Sequence, residues 1–174
     1  MKTELGEYIV GAYLSQCHNC DFVGYNVRPP VGGLEGLAEL DVVGLRHKDR
    51  VAFLCEVTTH LDGLQYGTYA TTISKVAEKH QRQRLYAKQH LKGFRKIRYM
   101  LWSPVVREGA ITNALAKLDG LELIINADYT RCIRELQDIA KSTTRDLGNP
   151  AMRFLQILSH LRSGEPKAKP RMRG

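Results

Sequence analysis

No stretch of this sequence approaches the roughly 18 consecutive apolar residues that a membrane-spanning helix needs, which excludes an integral helical membrane protein. The first residues, Met1-Lys2-Thr3-Glu4-Leu5-Gly6-Glu7, show no basic segment followed by an apolar run, so no secretory leader is expected. Cysteine is scarce: Cys17, Cys20, Cys55 and Cys132. The Cys17-His18-Asn19-Cys20 spacing is half of a zinc site, and no second closely spaced pair follows it. Reduced, partly buried thiols of a cytoplasmic protein are therefore expected ahead of bound zinc. Internal repeats and interior low-complexity linkers are absent, as is a Gly-rich phosphate loop of the Walker type. Ser15, Ser74 and Ser103 stand near no recognisable Ser-His-Asp arrangement, so a nucleophilic hydrolase and an NTPase are both poorly supported.

What is present suits one folded domain. The 174 residues are 43% hydrophobic and 25% charged, an ordinary globular composition. Residues 1–162 read as the domain. Residues 163–174, rich in Lys, Arg and Pro, read as a basic, disordered tail. Acids are outnumbered 26 to 18 by Lys and Arg, a net charge of +8 that favours a polyanionic partner. Solubility alone would also account for that charge.

Apolar spacing predicts a helix over 4–16, a strand over 22–27 and a loop at Pro29-Pro30 and Gly32-Gly33. Strands at 37–45 and 51–59 follow, separated by the polar Arg46–Arg50 connection. A helix over 72–92, a strand over 97–102, a helix from Ala110 ended by Gly120 and a strand over 121–125 come next. A helix carrying Cys132, Leu136 and Ala140 then precedes a last one, opened by Asn149-Pro150 and running to about Leu161. The order α-β-β-β-α-β-α-β-α-α predicts an α/β or α+β domain with a mixed sheet.

The informative residues are acids inside predicted strands, where a charge is costly without a ligand or partner. Glu39 and Asp41 share one face of the first run, and Glu56 and Thr58 share one face of the second. If the two strands pair as a hairpin, Asp41 and Glu56 converge at one end of the sheet. Converging carboxylates form a hard oxygen site suited to Mg²⁺ or Mn²⁺, which stabilises charge on a phosphodiester and lowers the pKa of an attacking water. Each acid taken singly is equally well explained by solvent exposure or by pairing with a cation.

Ala38-Glu39-Leu40-Asp41-Val42-Val43 and Ala52-Phe53-Leu54-Cys55-Glu56-Val57-Thr58-Thr59 resemble the core of the PD-(D/E)XK nuclease superfamily. More narrowly, they resemble archaeal Holliday-junction resolvases and small bacterial resolvase-like relatives. Gly6-Glu7 matches the glutamate of the family's first helix, with Ala12-Tyr13-Leu14 following. Tyr66-Gly67, Lys75 and Ala87-Lys88-Gln89-His90-Leu91 resemble the loop and helix after the second acidic strand. The likeness covers roughly residues 4–101. It implies a restriction-endonuclease-like α/β fold, a mixed sheet flanked by helices with an αβββαβ core and further C-terminal β/α elements. It also implies a divalent metal, Mg²⁺ or Mn²⁺, held by Asp41, Glu56 and the Val57 carbonyl. Glu7 would orient the attacking water or add an outer ligand, and a helix-border glutamate is the plain alternative. Glu39 is then either a second acid at the site or a structural one.

Thr58 departs from the family pattern, which has a lysine there. Threonine brings a hydroxyl and no charge. Either a lysine elsewhere supplies the charge, with Lys75 the first candidate, or the site is catalytically impaired. Lys75, Lys79 and Arg82 form one basic stripe with Tyr86 a turn further on, and a solvated helix face is its ordinary meaning. Beside a phosphodiester site the same stripe, with Arg28, would track a nucleic-acid backbone. His60 shares the parity of Glu56 and Thr58 and could sit at a strand end for no catalytic reason.

The expectation is a metal-dependent, structure-directed endonuclease of the cytoplasm, acting on DNA rather than RNA, with no membrane partner. A homodimer would match the symmetric cutting of two strands. The alternatives are a non-catalytic nucleic-acid-binding module on the same fold and an RNA-directed factor that uses only the basic helix and tail.

Overall fold

The computed structural model describes residues 3–28 and 39–161. The Pro29-Pro30 and Gly32-Gly33 loop, Ala38 and the tail 163–174 lie outside the described residues. Ten elements follow in chain order: α1 (Leu5–Gln16), β1 (Phe22–Val27), β2 (Leu40–Arg46), β3 (Val51–Val57), α2 (Tyr69–His90), β4 (Lys96–Ser103), α3 (Ala110–Leu115), β5 (Leu121–Ile125), α4 (Asn126–Ser142) and α5 (Pro150–Ser159). Their order is the one read from the apolar spacing, but several edges move. β2 begins at Leu40, which leaves Glu39 outside it, and β3 ends at Val57, so Thr58 follows the strand.

The sheet is mixed and runs β1-β2-β3-β4-β5. β1, β2 and β3 pair antiparallel, whereas β3, β4 and β5 pair parallel. The β2–β3 hairpin closes at Arg46↔Val51, helped by the Arg46–Asp49 ion pair at 2.8 Å and a left-handed Arg50 (φ 56°). Parallel neighbours need a crossover. α2 provides it between β3 and β4, and α3 between β4 and β5.

Helices cover both faces. Val10 and Leu14 of α1, Leu136 of α4 and Met152 of α5 pack with Val42, Phe53, Cys55, Met100 and Trp102. On the opposite face Ala87 of α2 meets Val43, Ala52 and Leu54, while Val76 and Leu115 meet Leu101. β3 is thus buried on both faces, which is why nearly all of Val51–Val57 is apolar. Glu56 is the exception.

Helix ends follow their caps. Thr68 accepts from the Thr71 N–H at the start of α2, and Asn149 accepts from Ala151 and Met152 at the start of α5. Asn149 also donates to the Tyr8 carbonyl and the Tyr25 hydroxyl, fastening α5 to α1 and β1. α1 lies close on the sheet because Gly6 has no side chain: a Cβ there would stand 2.2 Å from Thr59 Cγ2. Among the described residues no helix is long and apolar enough to cross a membrane.

Candidate active site

The β2–β3 ladder stops at Val42↔Cys55, and the next residues along each strand are Asp41 and Glu56. Asp41 Oδ2 accepts from the Val57 N–H at 2.7 Å, just beyond the end of that pairing. Both carboxylates therefore sit where the two strands part. Glu56 shares the parity of Ala52 and Leu54, which puts it on the face covered by α2.

Glu56 is only 3% exposed. Its Oε2 accepts from Lys79 Nζ at 2.8 Å, and its buried Oε1 has no hydrogen-bond partner among the described residues. Burial and the nearby Asp41 charge push the Glu56 carboxyl up to about 7, against the opposing pull of Lys79 and Arg82. Lys79 Nζ also lies 4.0 Å from Asp41 Oδ2. Burial pulls the Lys79 ammonium down, but Glu56 and Asp41 outweigh it and hold it above the usual lysine range.

Glu7 approaches from α1. Its Oε2 accepts from the Glu4 N–H at 3.2 Å and from Asn26 Nδ2 at 3.0 Å. Asn26 lies between the Tyr25↔Val42 and Val27↔Leu40 pairs with φ at 51°, a left-handed conformation that asparagine adopts more readily than most residues. Burial raises the Glu7 carboxyl above its ordinary value. The two hydrogen bonds oppose that rise and the Asp41 charge adds to it.

Lys75 is not in this group. It is exposed, and its Nζ lies 5.1 Å from the centre of the Tyr66 ring. The lysine that meets the two carboxylates is Lys79, one helical turn later. α2 returns along β3, with Gln83 Nε2 donating to the Leu54 carbonyl at 2.9 Å and the Met100 carbonyl at 3.1 Å. Four helix residues advance about 6 Å and two strand residues about 6.6 Å. A turn back from Gln83 therefore brings Lys79 level with Glu56, and another turn carries Lys75 past the strand end. The buried row Thr72, Val76, His80, Gln83 and Ala87 was the signal in the sequence. Lys79 flanks that row, but Gln83 had to be recognised as a core residue first.

Thr58 is buried, with its N–H donating to the Trp102 carbonyl at 2.9 Å and its hydroxyl accepting a long 3.5 Å contact from the His60 N–H. It makes no hydrogen bond to either carboxylate. His60 meets Tyr66 edge-on, with ring centres 6.0 Å apart. Arg82 is half-buried, and its charge reaches Glu56. Arg28, 42% exposed, pairs with Glu39 at 3.1 Å, which gives Glu39 a partner other than the site. Cys55 and Cys132 are buried, while Cys17 and Cys20 are half-buried, and all four are free thiols. A cleft of about 910 Å³ opens beside the first turn of α1, lined by Leu5, Tyr8, Ile9, Thr59, Leu61 and Tyr129 among others. Asp41, Glu56 and Lys79 do not line it.

Among the described residues no group of three or more His, Cys, Asp and Glu side chains has a metal-holding arrangement. The donor set at Asp41 and Glu56 is nevertheless hard oxygen only, and Glu56 Oε1 is buried without a hydrogen-bond partner among the described residues. That fits Mg²⁺ or Mn²⁺, which is commonly held by one or two carboxylates and completed by water and substrate phosphate. Neither protein-family models nor curated proteins yield a match to this chain.

Proposed function

We propose that this chain is a Mg²⁺- or Mn²⁺-dependent nuclease on a restriction-endonuclease-like fold, acting on DNA in preference to RNA. One observation carries the reading: two strand-end carboxylates and a lysine converge within 4.0 Å, and the more buried carboxylate keeps a free oxygen. Asp41, Glu56 and the Val57 carbonyl would hold the ion, whose chemistry is to stabilise phosphodiester charge and lower the pKa of an attacking water. Lys79 supplies the positive charge that Thr58 lacks and faces the charge developing on the phosphoryl oxygens. Glu7, held by Asn26, orients the water from the α1 side. Lys75, Arg82 and Arg28 form the backbone track, in keeping with the net charge of +8.

A cytoplasmic setting and a homodimer belong to the same reading. The competing one is a binding module without catalysis. It is favoured by the 2.8 Å Lys79–Glu56 contact, which occupies one of the oxygens a metal would use. Labelled branched, duplex and single-stranded DNA, with RNA alongside, separates the two. A nuclease cuts one of these in Mg²⁺ or Mn²⁺ and not in EDTA. Salt-sensitive binding with no cleavage in any metal would leave the binding module.

A further inference from the structure

α5 carries two apolar faces, and among the described residues the fold covers one. Ala151, Met152 and Gln156 are buried, with Gln156 Nε2 donating to the carbonyls of Thr143 at 3.0 Å and Arg145 at 2.8 Å. That anchors the helix against the end of α4. The other face holds Phe154, Ile157 and Leu158, with Leu161 just past the C-cap His160. These four are 51%, 54%, 50% and 68% exposed. Phe154, Ile157 and Leu158, spaced i, i+3 and i+4, make one stripe on the helix, and Leu161 extends it just beyond the helix end. No charge interrupts it, because the neighbouring Arg153 turns to Asp146 at 3.0 Å.

We infer that this stripe is the interface between two copies of the chain, with α5 packed antiparallel against α5 about a two-fold axis near Ile157 and Leu158. Two features select a second copy as the occupant. The stripe is nearly symmetric about its own midpoint, so an antiparallel copy sets Phe154 against Leu161 of the second copy and the central pair against itself. A two-fold interface demands that self-complementarity. The area also fits. At about 150–250 Å² for a fully exposed large apolar residue, the four expose roughly 400 Å² per copy. A standard interface takes about 800 Å² per partner, of which about 60% is apolar. The stripe provides most of that apolar share, and the flanking polar side chains form the rim. The inference stands on α5, which lies outside residues 4–101, and holds whether or not the carboxylate site is catalytic.

Sedimentation velocity over a concentration series tests it on the full chain. The wild type is expected as a dimer in the micromolar range. Leu158→Glu buries a charge at the axis and is expected to raise the dissociation constant about 100-fold or more, with an unchanged circular dichroism spectrum. Leu158→Cys provides a second readout that keeps the helix intact. Near the axis it forms a covalent dimer on mild oxidation, whereas Glu78→Cys on α2, across the sheet, does not. A wild type that stays monomeric at 100 µM would overturn the inference. So would a dimer that survives Leu158→Glu, or one in which both cysteines cross-link equally, since its interface lies elsewhere.

Discussion

Lys79 Nζ donates to Glu56 Oε2 across 2.8 Å, joining the middle of α2 to the last turnout of β3. That contact puts the lysine that meets the carboxylates on the helix, level with Glu56. Lys79→Ala is expected to lower single-turnover DNA cleavage by about 100- to 1,000-fold, the size of losing one preorganised charge donor. Lys75→Ala, which removes a charge of the backbone track and the contact with Tyr66 but nothing at the carboxylates, is expected to change it by less than about threefold once DNA is saturating. The reverse pattern would return the role to Lys75.

Glu56 links the site to stability. Its carboxyl, raised to about 7 when folded and near 4.5 when unfolded, holds its proton more tightly in the folded chain. Its contribution is therefore full below about pH 4.5 and is lost as pH rises through about 7. In EDTA the wild type should lose about 2–3 kcal/mol between pH 5 and pH 8 relative to Glu56→Gln. Urea unfolding of both proteins at the two pH values measures this difference directly. A gap that does not change with pH would contradict it.

Metal binding has a readout apart from activity. An ion held only by the folded chain at ten times its dissociation constant should stabilise it by about 1.4 kcal/mol. A thermal shift with Mg²⁺ or Mn²⁺ at pH 8 is expected for the wild type. It should vanish in Asp41→Asn, which keeps the size of the side chain and removes its charge.

The approach of α1 rests on Gly6. A Cβ there would meet Thr59 Cγ2 at 2.2 Å and Val57 Cγ1 at 3.3 Å. Gly6→Ala should cost about 1–3 kcal/mol by overpacking. Adding Thr59→Ser removes the closest methyl and should recover part of that loss. Denaturant midpoints of the two variants decide the matter, and equal midpoints would place the strain elsewhere.

The order of the ten elements was legible because apolar spacing, the Asn149-Pro150 cap and the polar Arg46–Arg50 turn are local signals. The convergence of Asp41 and Glu56 at the strand ends was legible too, because strand parity and a short hairpin leave few registers. Lys79 was not, because a helix face is set by what it packs against. His80 and Gln83 read as polar in the sequence, yet they lie buried, bonding Asp119 and the carbonyls of β3 and β4. With those two counted as solvent-facing, the helix turns by the wrong amount and Lys75 replaces Lys79. Asn26 was hidden for a related reason. Its bond to Glu7 accompanies a left-handed backbone, which asparagine tolerates but which the strand-like run Tyr25-Asn26-Val27 does not by itself require. Glu39 passed for a strand residue because β2 begins one position later.

The most direct test is the rate of cleavage of labelled branched and duplex DNA in Mg²⁺, compared between the wild type and Asp41→Ala. The account predicts cleavage by the wild type that stops in EDTA and falls at least about 100-fold in Asp41→Ala. Equal cleavage by the two proteins, or none by the wild type in either Mg²⁺ or Mn²⁺, would contradict it.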